Sequence, residues 1–375
     1  MTLRIGTLML PAMVLTVAGC AIAKGSGGDG VSGRVRMYYI AADPVSWDYA
    51  PGGRDLIVDQ PFVDTAFFVK SPPKAVATSY KKTLYREYTD STFTTLKPRP
   101  PEWAHLGFLG PLIRGVVGDT IKILFKNNGQ HPFGMHPHGV FYNKDSEGAP
   151  YSDGTSGADK SDDGVPPGGT HLYVWPVPER AGPGPMEGSS VMWMYHSHID
   201  EVNDVNSGLL GPMLITARGK AKEDGSPNDV DRELVVAFAQ VHEENNWAAG
   251  ENLGPLLAQG PAPSHLETQN IYPWFVKFTM NGFVHGTLPL EALTVKRGQR
   301  VRWYLFASTN DFDAHAPHWH GNTVLIHGMR TDVTSLTPME MVTADMVPDN
   351  PGTWLFHCHI SFHLTQGMQA RYRVE

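Results

Sequence analysis

The 375-residue sequence has only two cysteines, Cys20 and Cys358. That excludes a fold held by a disulfide framework. Its apolar stretch from Ile5 to Ala18 is interrupted by Pro11 and falls short of the ~20 residues a membrane-spanning helix needs. Charged residues are 18% of the chain, below the ~25% of an ordinary soluble protein. The formal net charge is −8, which argues against a nucleic-acid binder, since such proteins need a basic face. No long segment repeats with a helical period. What remains is an apolar fraction of 41%, enough for full-sized cores, with 39 glycines and 30 prolines, richer than average usage. That much turn chemistry between short β-branched runs points to an all-β chain of two or three domains. The unusual count is 17 histidines.

Residues 1–20 read as an export signal, with Arg4 as the positive start. The run Val17-Ala18-Gly19-Cys20 resembles a bacterial lipoprotein cleavage box, in which Cys20 would carry the lipid anchor; ordinary secretory cleavage is the alternative. Residues 21–33 are rich in Gly and Ser and read as a flexible tether. The mature protein is expected in the periplasm or cell envelope. There Cys358 is left without a cysteine to pair with, which calls for another reason for its presence.

Strand-like runs lie at Thr120–Phe125, Leu172–Val177, Leu234–Ala239 and Val301–Phe306, separated by turn residues. The polar stretch from Ala217 to Asp231 is the best boundary, giving domains at 34–218 and 230–375. The halves repeat: WMYHSHI at 193–199 matches WLFHCHI at 354–360, and HPHG at 136–139 matches HWHG at 318–321. Random placement would give about one His-x-His pair, whereas the sequence has four: His136/His138, His196/His198, His318/His320 and His357/His359. On a strand, residues i and i+2 share a face, so each pair can offer two imidazoles to one metal site. Eight imidazoles exceed the four ligands of a zinc ion and suit several copper ions. Cys358 points to the opposite face from His357 and His359. With His315, His363 and Met368 it makes up the two-imidazole, one-thiolate, weak-thioether set of a blue-copper centre. Electrons could then pass through about one residue of backbone, from Cys358 to its histidine neighbours.

These motifs, HPHG, HSH, HAPHWHG and HCHISFHLTQGM, resemble those of the multicopper oxidases, specifically a bacterial two-domain relative of ceruloplasmin. MYYIAADPVSWDYAP, HLGFLGPLIRGVVGD, SGLLGPMLI and MNGFVHGTL extend the likeness over most of residues 35–375. The resemblance implies two cupredoxin-like β-sandwiches and four coppers per active site. His136 and His318 would hold one type 2 copper. His138, His196, His198, His320, His357 and His359 would hold the type 3 pair. His315, Cys358, His363 and Met368 would hold type 1. Ser197 stands in place of Cys358 in the first half, and Val202 stands six residues after the first His of its motif, as His363 does. The first domain should therefore carry no type 1 copper. His131 reads as a loop or supporting residue. The resemblance also implies a homotrimer whose six domains close a ring, each cluster lying between chains; a cluster within one chain is the alternative.

By the same resemblance, Tyr142 and Glu147 lie beside the type 2 copper, Glu147 relaying protons and Tyr142 supplying an electron. Ceruloplasmin-like enzymes bind Fe(II) at two acids and a histidine beside type 1 copper; here the acid positions fall at Phe362 and about Pro273 and the histidine at about Phe278, all apolar. A hard cation wants oxygen ligands, so a phenol or aromatic amine, laccase-like, is the expected reductant of an enzyme reducing O₂ to water. Fe(II) or Cu(I) is the alternative. The Met339/Met341/Met346 run fits Cu(I), but its alternation reads more simply as strand core. A copper nitrite reductase would need its blue copper in the first domain and a single catalytic copper. A non-catalytic copper-binding protein would be expected to lose ligands that this chain keeps.

Overall fold

The computed structural model describes residues 33–61, 78–257, 276–308 and 314–375. The export-signal segment with Cys20, and Pro273, Asp311 and Asp313 beside the metal motifs, lie outside the described residues. The described chain is mostly β, with only short helices: α1 (Glu201–Ser207), α2 (Ala249–Leu257) and α3 (Ser361–Thr365).

The first half supplies β1 (Val35–Asp48), a ribbon of β2 (Arg54–Asp55) and β3 (Gln60–Pro61), β4 (Ser79–Glu87), β5 (Ile113–Val116), β6 (Thr120–Asn127), β7 (His136–Pro137), β8 (Thr170–Pro176), β9 (Ser190–His196) and β10 (Leu210–Thr216). They form a first sheet, β4-β1-β6-β8, and a second, β5-β10-β9-β7. The second half supplies β11 (Arg232–His242), β12 (Val276–Met280), β13 (Thr294–Val295), β14 (Val301–Ser308), β15 (Pro317–Trp319), β16 (Val324–Ile326), β17 (Met329–Thr331), β18 (Met341–Met346), β19 (Gly352–Cys358) and β20 (Gln369–Val374). They form a third sheet, β12-β11-β14-β18-β16-β17, and a fourth, β13-β20-β19-β15. The sequence repeat is thus a repeat of topology. β1 runs parallel to β6 as β11 does to β14, and β7 pairs with β9 as β15 does with β19.

Strand periodicity sets the layers. In β6, Ile121, Ile123 and Phe125 are buried and their neighbours half-exposed. The first two sheets close over these residues with Trp175, Val191 and Tyr195. β14 is buried at every position, so the third sheet is covered on both faces. Trp303 and Leu305 pack with Phe356, Cys358 and Tyr372 towards the fourth sheet. Tyr304 and Phe306 pack with Met192, Met194 and Leu214 of the second sheet. The polar groups in that junction are paired, as burial requires. Arg114 meets Glu233 at 2.7 Å, Tyr304 donates to Glu233 at 3.0 Å, and Arg302 donates to Ser190 at 2.8 Å and pairs with Asp345. The stack is therefore first, second, third, fourth sheet, and the two histidine-bearing sheets are the second and the fourth.

Candidate metal centres

β15 pairs with β19 so that Pro317 faces Cys358, His318 faces His357 and Trp319 faces Phe356. Alternation sends Trp319, Phe356 and Cys358 into the core and His318 and His357 to the outer face of the fourth sheet. Cys358 Sγ lies 3.4 Å from His363 Nδ1 and 4.0 Å from His315 Nδ1, and the two nitrogens lie 3.2 Å apart. Three such donors in a trigonal plane around a first-row ion at ordinary bond lengths would be about 3.6 Å apart, so the trio fits one ion. All three are buried, as is Met368. The Cys358 N–H donates to the Met368 carbonyl and the Met368 N–H to the His363 carbonyl, which holds all three residues in one tight loop. The Ala316 N–H points at Cys358 Sγ from 3.3 Å, a donor that favours the thiolate.

The eight paired histidines form two quartets. In the first, ring centroids of His136, His138, His196 and His198 are 5.3–5.7 Å apart, and His138 Nε2 lies 3.1 Å from His196 Nε2. In the second, His318, His320, His357 and His359 are 4.7–5.4 Å apart, with His320 Nε2 3.1 Å from His357 Nε2. One packing device sets both quartets. Gly139 and Gly321 end the two HxHG motifs at φ +79° and +74°. A Cβ on either would fall 2.3 Å from the indole of Trp193 or Trp354. The tryptophan that opens each WxxHxH motif thus lies flat on the glycine that closes the facing motif. Burial, aided by neighbouring imidazoles, lowers the pKa values of His138 and His357 to about 4 and holds His136, His196 and His318 below the usual range. These rings are neutral at pH 7, the form that ligates metal.

The two quartets are carried by different sheets, the second and the fourth. Strand alternation puts His196 on the same side of β9 as Met192 and Met194. The second quartet lies on the far side of the fourth sheet. Among the described residues no ring contact joins the two sets. His318 and His320 line an open depression with Asp332 and Trp354.

Tyr142 lies against His136, with ring centroids 5.7 Å apart. Glu147 meets His136 through its backbone: its carbonyl lies 2.7 Å from His136 Nδ1, which leaves Nε2 to face the quartet. Its carboxylate is held by Lys144 at 2.6 Å and accepts from Tyr151 at 3.0 Å. Phe278 is buried against His363 at 4.8 Å, and Phe362, half-exposed, stands edge-on to Phe278. The rim beside His363 is therefore aromatic. Met346 is buried in β18 and Met341 is partly buried, as strand alternation requires. Two acids near the imidazoles carry no motif signal that spacing would reveal. Asp332 lies 3.7 Å from His318, and Glu201 3.5 Å from His198.

Where the second half has its trio, the first half has a counterpart built on Ser197 and Asp204. Backbone hydrogen bonds give the equivalence: Ser197 N–H to Leu209 O and Leu209 N–H to Asp204 O repeat the Cys358–Met368–His363 pattern, and the Phe133–Val165 bridge repeats His315–Leu336. The counterpart of His363 is thus Asp204. Val202, which residue counting selects, is exposed on α1, because the loop after HSH is longer than that after HCH. His131 stacks on Trp247 at 3.8 Å.

The fold and these sites define a copper-type protein of two repeated β-sandwich halves, one bearing a His₂Cys trio beside a histidine quartet. Two family models, both described as multicopper oxidase, match residues 103–220 and 258–375, well over half the chain. Ferroxidase HEPHL1 of Homo sapiens is 41% identical over 356 residues, covering 92% of this chain and 30% of that protein. Ceruloplasmin of Homo sapiens is 37% identical over 363 residues, covering 94% and 34%. The chain thus spans about a third of the length of these curated relatives. A solved multicopper oxidase structure superposes with TM-score 0.56 at 18% identity, covering 91% of this chain and 90% of that one. The blue copper oxidase from Nitrosomonas europaea gives 0.56 at 17%, covering 91% and 86%. At such identity the likeness is one of fold. The chain belongs to the multicopper oxidase family.

Proposed function

We propose that the chain is an exported copper oxidase that takes single electrons from a small reducing substrate at the Cys358 site and delivers them to a trinuclear site where O₂ is reduced to water. One observation carries this reading. Cys358 and its neighbours His357 and His359 share the end of β19, the thiol facing the trio and His357 facing the quartet. His315, Cys358, His363 and Met368 would hold type 1 copper, His136 and His318 type 2, and His138, His196, His198, His320, His357 and His359 the type 3 pair. Copper in these sites would supply reversible one-electron transfer at the first and reduction of dioxygen at the second, with four electrons drawn one at a time from the substrate per O₂.

The residues do the rest. The β19 backbone is the short covalent path from the trio to the quartet. The Glu147 carbonyl fixes the His136 tautomer, and its carboxylate, in the Lys144–Tyr151 network, is the proton relay. Tyr142 is the nearby electron reserve. Because the two quartets sit on different sheets of one chain and share no ring contact among the described residues, the cluster is completed by the second quartet of another copy. A closed homotrimer satisfies this with every site filled. Exposed Phe141 and Tyr142 beside the first quartet, and Val333 beside the second, fit such a docking face. Sedimentation of the copper-loaded chain tests the assembly: a monomer that reduces O₂ to water would refute it.

For the reductant, Phe278 and Phe362 beside His363 favour outer-sphere contact with a phenol or aromatic amine. A second reading, an Fe(II) oxidase, is favoured by the ferroxidase relative. O₂ uptake by copper-loaded protein with Fe(II), Cu(I) and a substituted phenol under one buffer separates them. Faster turnover of the phenol supports the first reading, and faster Fe(II) turnover overturns it.

A further inference from the structure

In the second half, a metal bound by Cys358, His315 and His363 would lock the loop that carries His357 and His359. The first half has Ser197 and Asp204 in place of Cys358 and His363, yet its quartet is still gathered to ring spacings of 5.3–5.7 Å. What stands there is a carboxylate. Asp204 is fully buried. Its Oδ2 accepts from the Ser197 hydroxyl at 2.6 Å and from the Asp200 N–H at 3.1 Å. Those two donors bracket His198, so one oxygen staples both ends of the turn that carries it. Its Oδ1 accepts from Trp247 Nε1–H at 2.8 Å. The Trp247 indole stacks on His131, in the segment that leads to His136. Ser197 Oγ in turn accepts from the Gly134 N–H at 3.1 Å, the counterpart of Ala316 N–H on Cys358 Sγ. Both segments that carry the first quartet, 131–138 and 196–200, are therefore tied to one side chain.

We infer that Asp204 is the positioning residue of the first histidine quartet, its hydrogen bonds to Ser197, Asp200 and Trp247 doing in the first half the work of the type 1 metal in the second. Hydrogen bonds to an ionised acceptor are roughly twice as strong as neutral ones. A buried carboxylate that accepts from three fixed donors is accordingly a stiff anchor. The inference rests on the reading that the quartets hold copper. It adds what keeps His196 and His198 in place before and between metal-binding events. Trp247 belongs to the connector between β11 and α2, so the same anchor ties the first quartet to the second half of the chain.

The test uses the full-length copper-loaded chain, titrated with a copper chelator, in wild type, Asp204→Asn, Ser197→Ala and Trp247→Phe. Blue absorbance reports the Cys358 site, and non-blue copper, counted by metal analysis and its electron paramagnetic resonance spectrum, reports the quartets in the same sample. In Asp204→Asn, non-blue copper is expected to leave at about tenfold to hundredfold lower chelator, the range for removing a partner that orients a ligand. Its hyperfine pattern should change and the blue band should be retained. Ser197→Ala is expected to shift the same way, and it decides the matter if Asp204→Asn fails to fold. Release within twofold of wild type in both variants, or parallel loss of blue and non-blue copper as a merely structural defect would give, overturns the inference. Wild-type protein that never holds non-blue copper overturns the copper reading itself, an outcome visible before any variant is made.

Discussion

Replacing Gly321 by alanine probes the packing that sets the second quartet. At φ +74° an L-residue costs about 1–2 kcal/mol. The new Cβ would also sit 2.3 Å from Trp354 Cδ2, closer than any real contact, so the indole or the backbone at His320 must move. Overpacking of this kind costs about 1–3 kcal/mol. The expected loss is therefore about 2–5 kcal/mol in all. Gly328 is the internal control: its φ is +78° and nothing lies within 4 Å of its would-be Cβ, so Gly328→Ala should lose only the backbone share of about 1–2 kcal/mol. Urea unfolding of both variants, followed by tryptophan fluorescence, measures the difference. Non-blue copper content then tells whether His320 moved. If Gly321→Ala is no less stable than Gly328→Ala, the Gly–Trp contact does not set the motif and the reasoning from the repeated glycine is wrong.

Cys358→Ser should abolish the blue band and turnover while leaving assembly intact by sedimentation; retained blue colour would refute the type 1 assignment. Glu147→Gln preserves the carbonyl that orients His136 and removes the charge paired with Lys144, so O₂ reduction should slow several-fold while substrate still bleaches the blue band; unchanged turnover removes Glu147 from the proton path. Phe362→Asp should raise Fe(II) turnover relative to phenol turnover by placing an oxygen ligand beside His363, and an unchanged ratio would mean the aromatic rim does not select the reductant. In the metal-free chain, His138 and His357 titrate at about 4 when folded but near 6.5 when unfolded. The unfolded state therefore binds more protons between those values, and stability falls as pH drops from about 6.5 towards 4. Thermal melts across that range measure the slope, and a flat profile would contradict the burial of these rings.

Much of the site was legible in the sequence because its chemistry is local. A His-x-His pair at a strand end presents both rings to one face whatever lies around it. Cys358 between two histidines reads as a thiol on the opposite face for the same reason. His363 and Met368 follow Cys358 in one tight loop, so spacing alone named them. Other features depend on how distant segments approach, and no spacing encodes that. The role of the Glu147 carbonyl on His136 arises from a loop folding back across 11 residues. The correspondence of Asp204 with His363 appears only in the hydrogen bonds of two superposable loops, because α1 displaces the residue count that points to Val202. His131 is a stacking partner for Trp247 across more than a hundred residues of chain. That the quartets fall on the second and the fourth sheet, with buried β11 and β14 between, is a property of layer order. By itself, then, the sequence determined which donors exist and which face of its strand each occupies, since that follows from covalent geometry. Only the tertiary structure decided which donors converge and what holds them, since those depend on long-range packing of sheets.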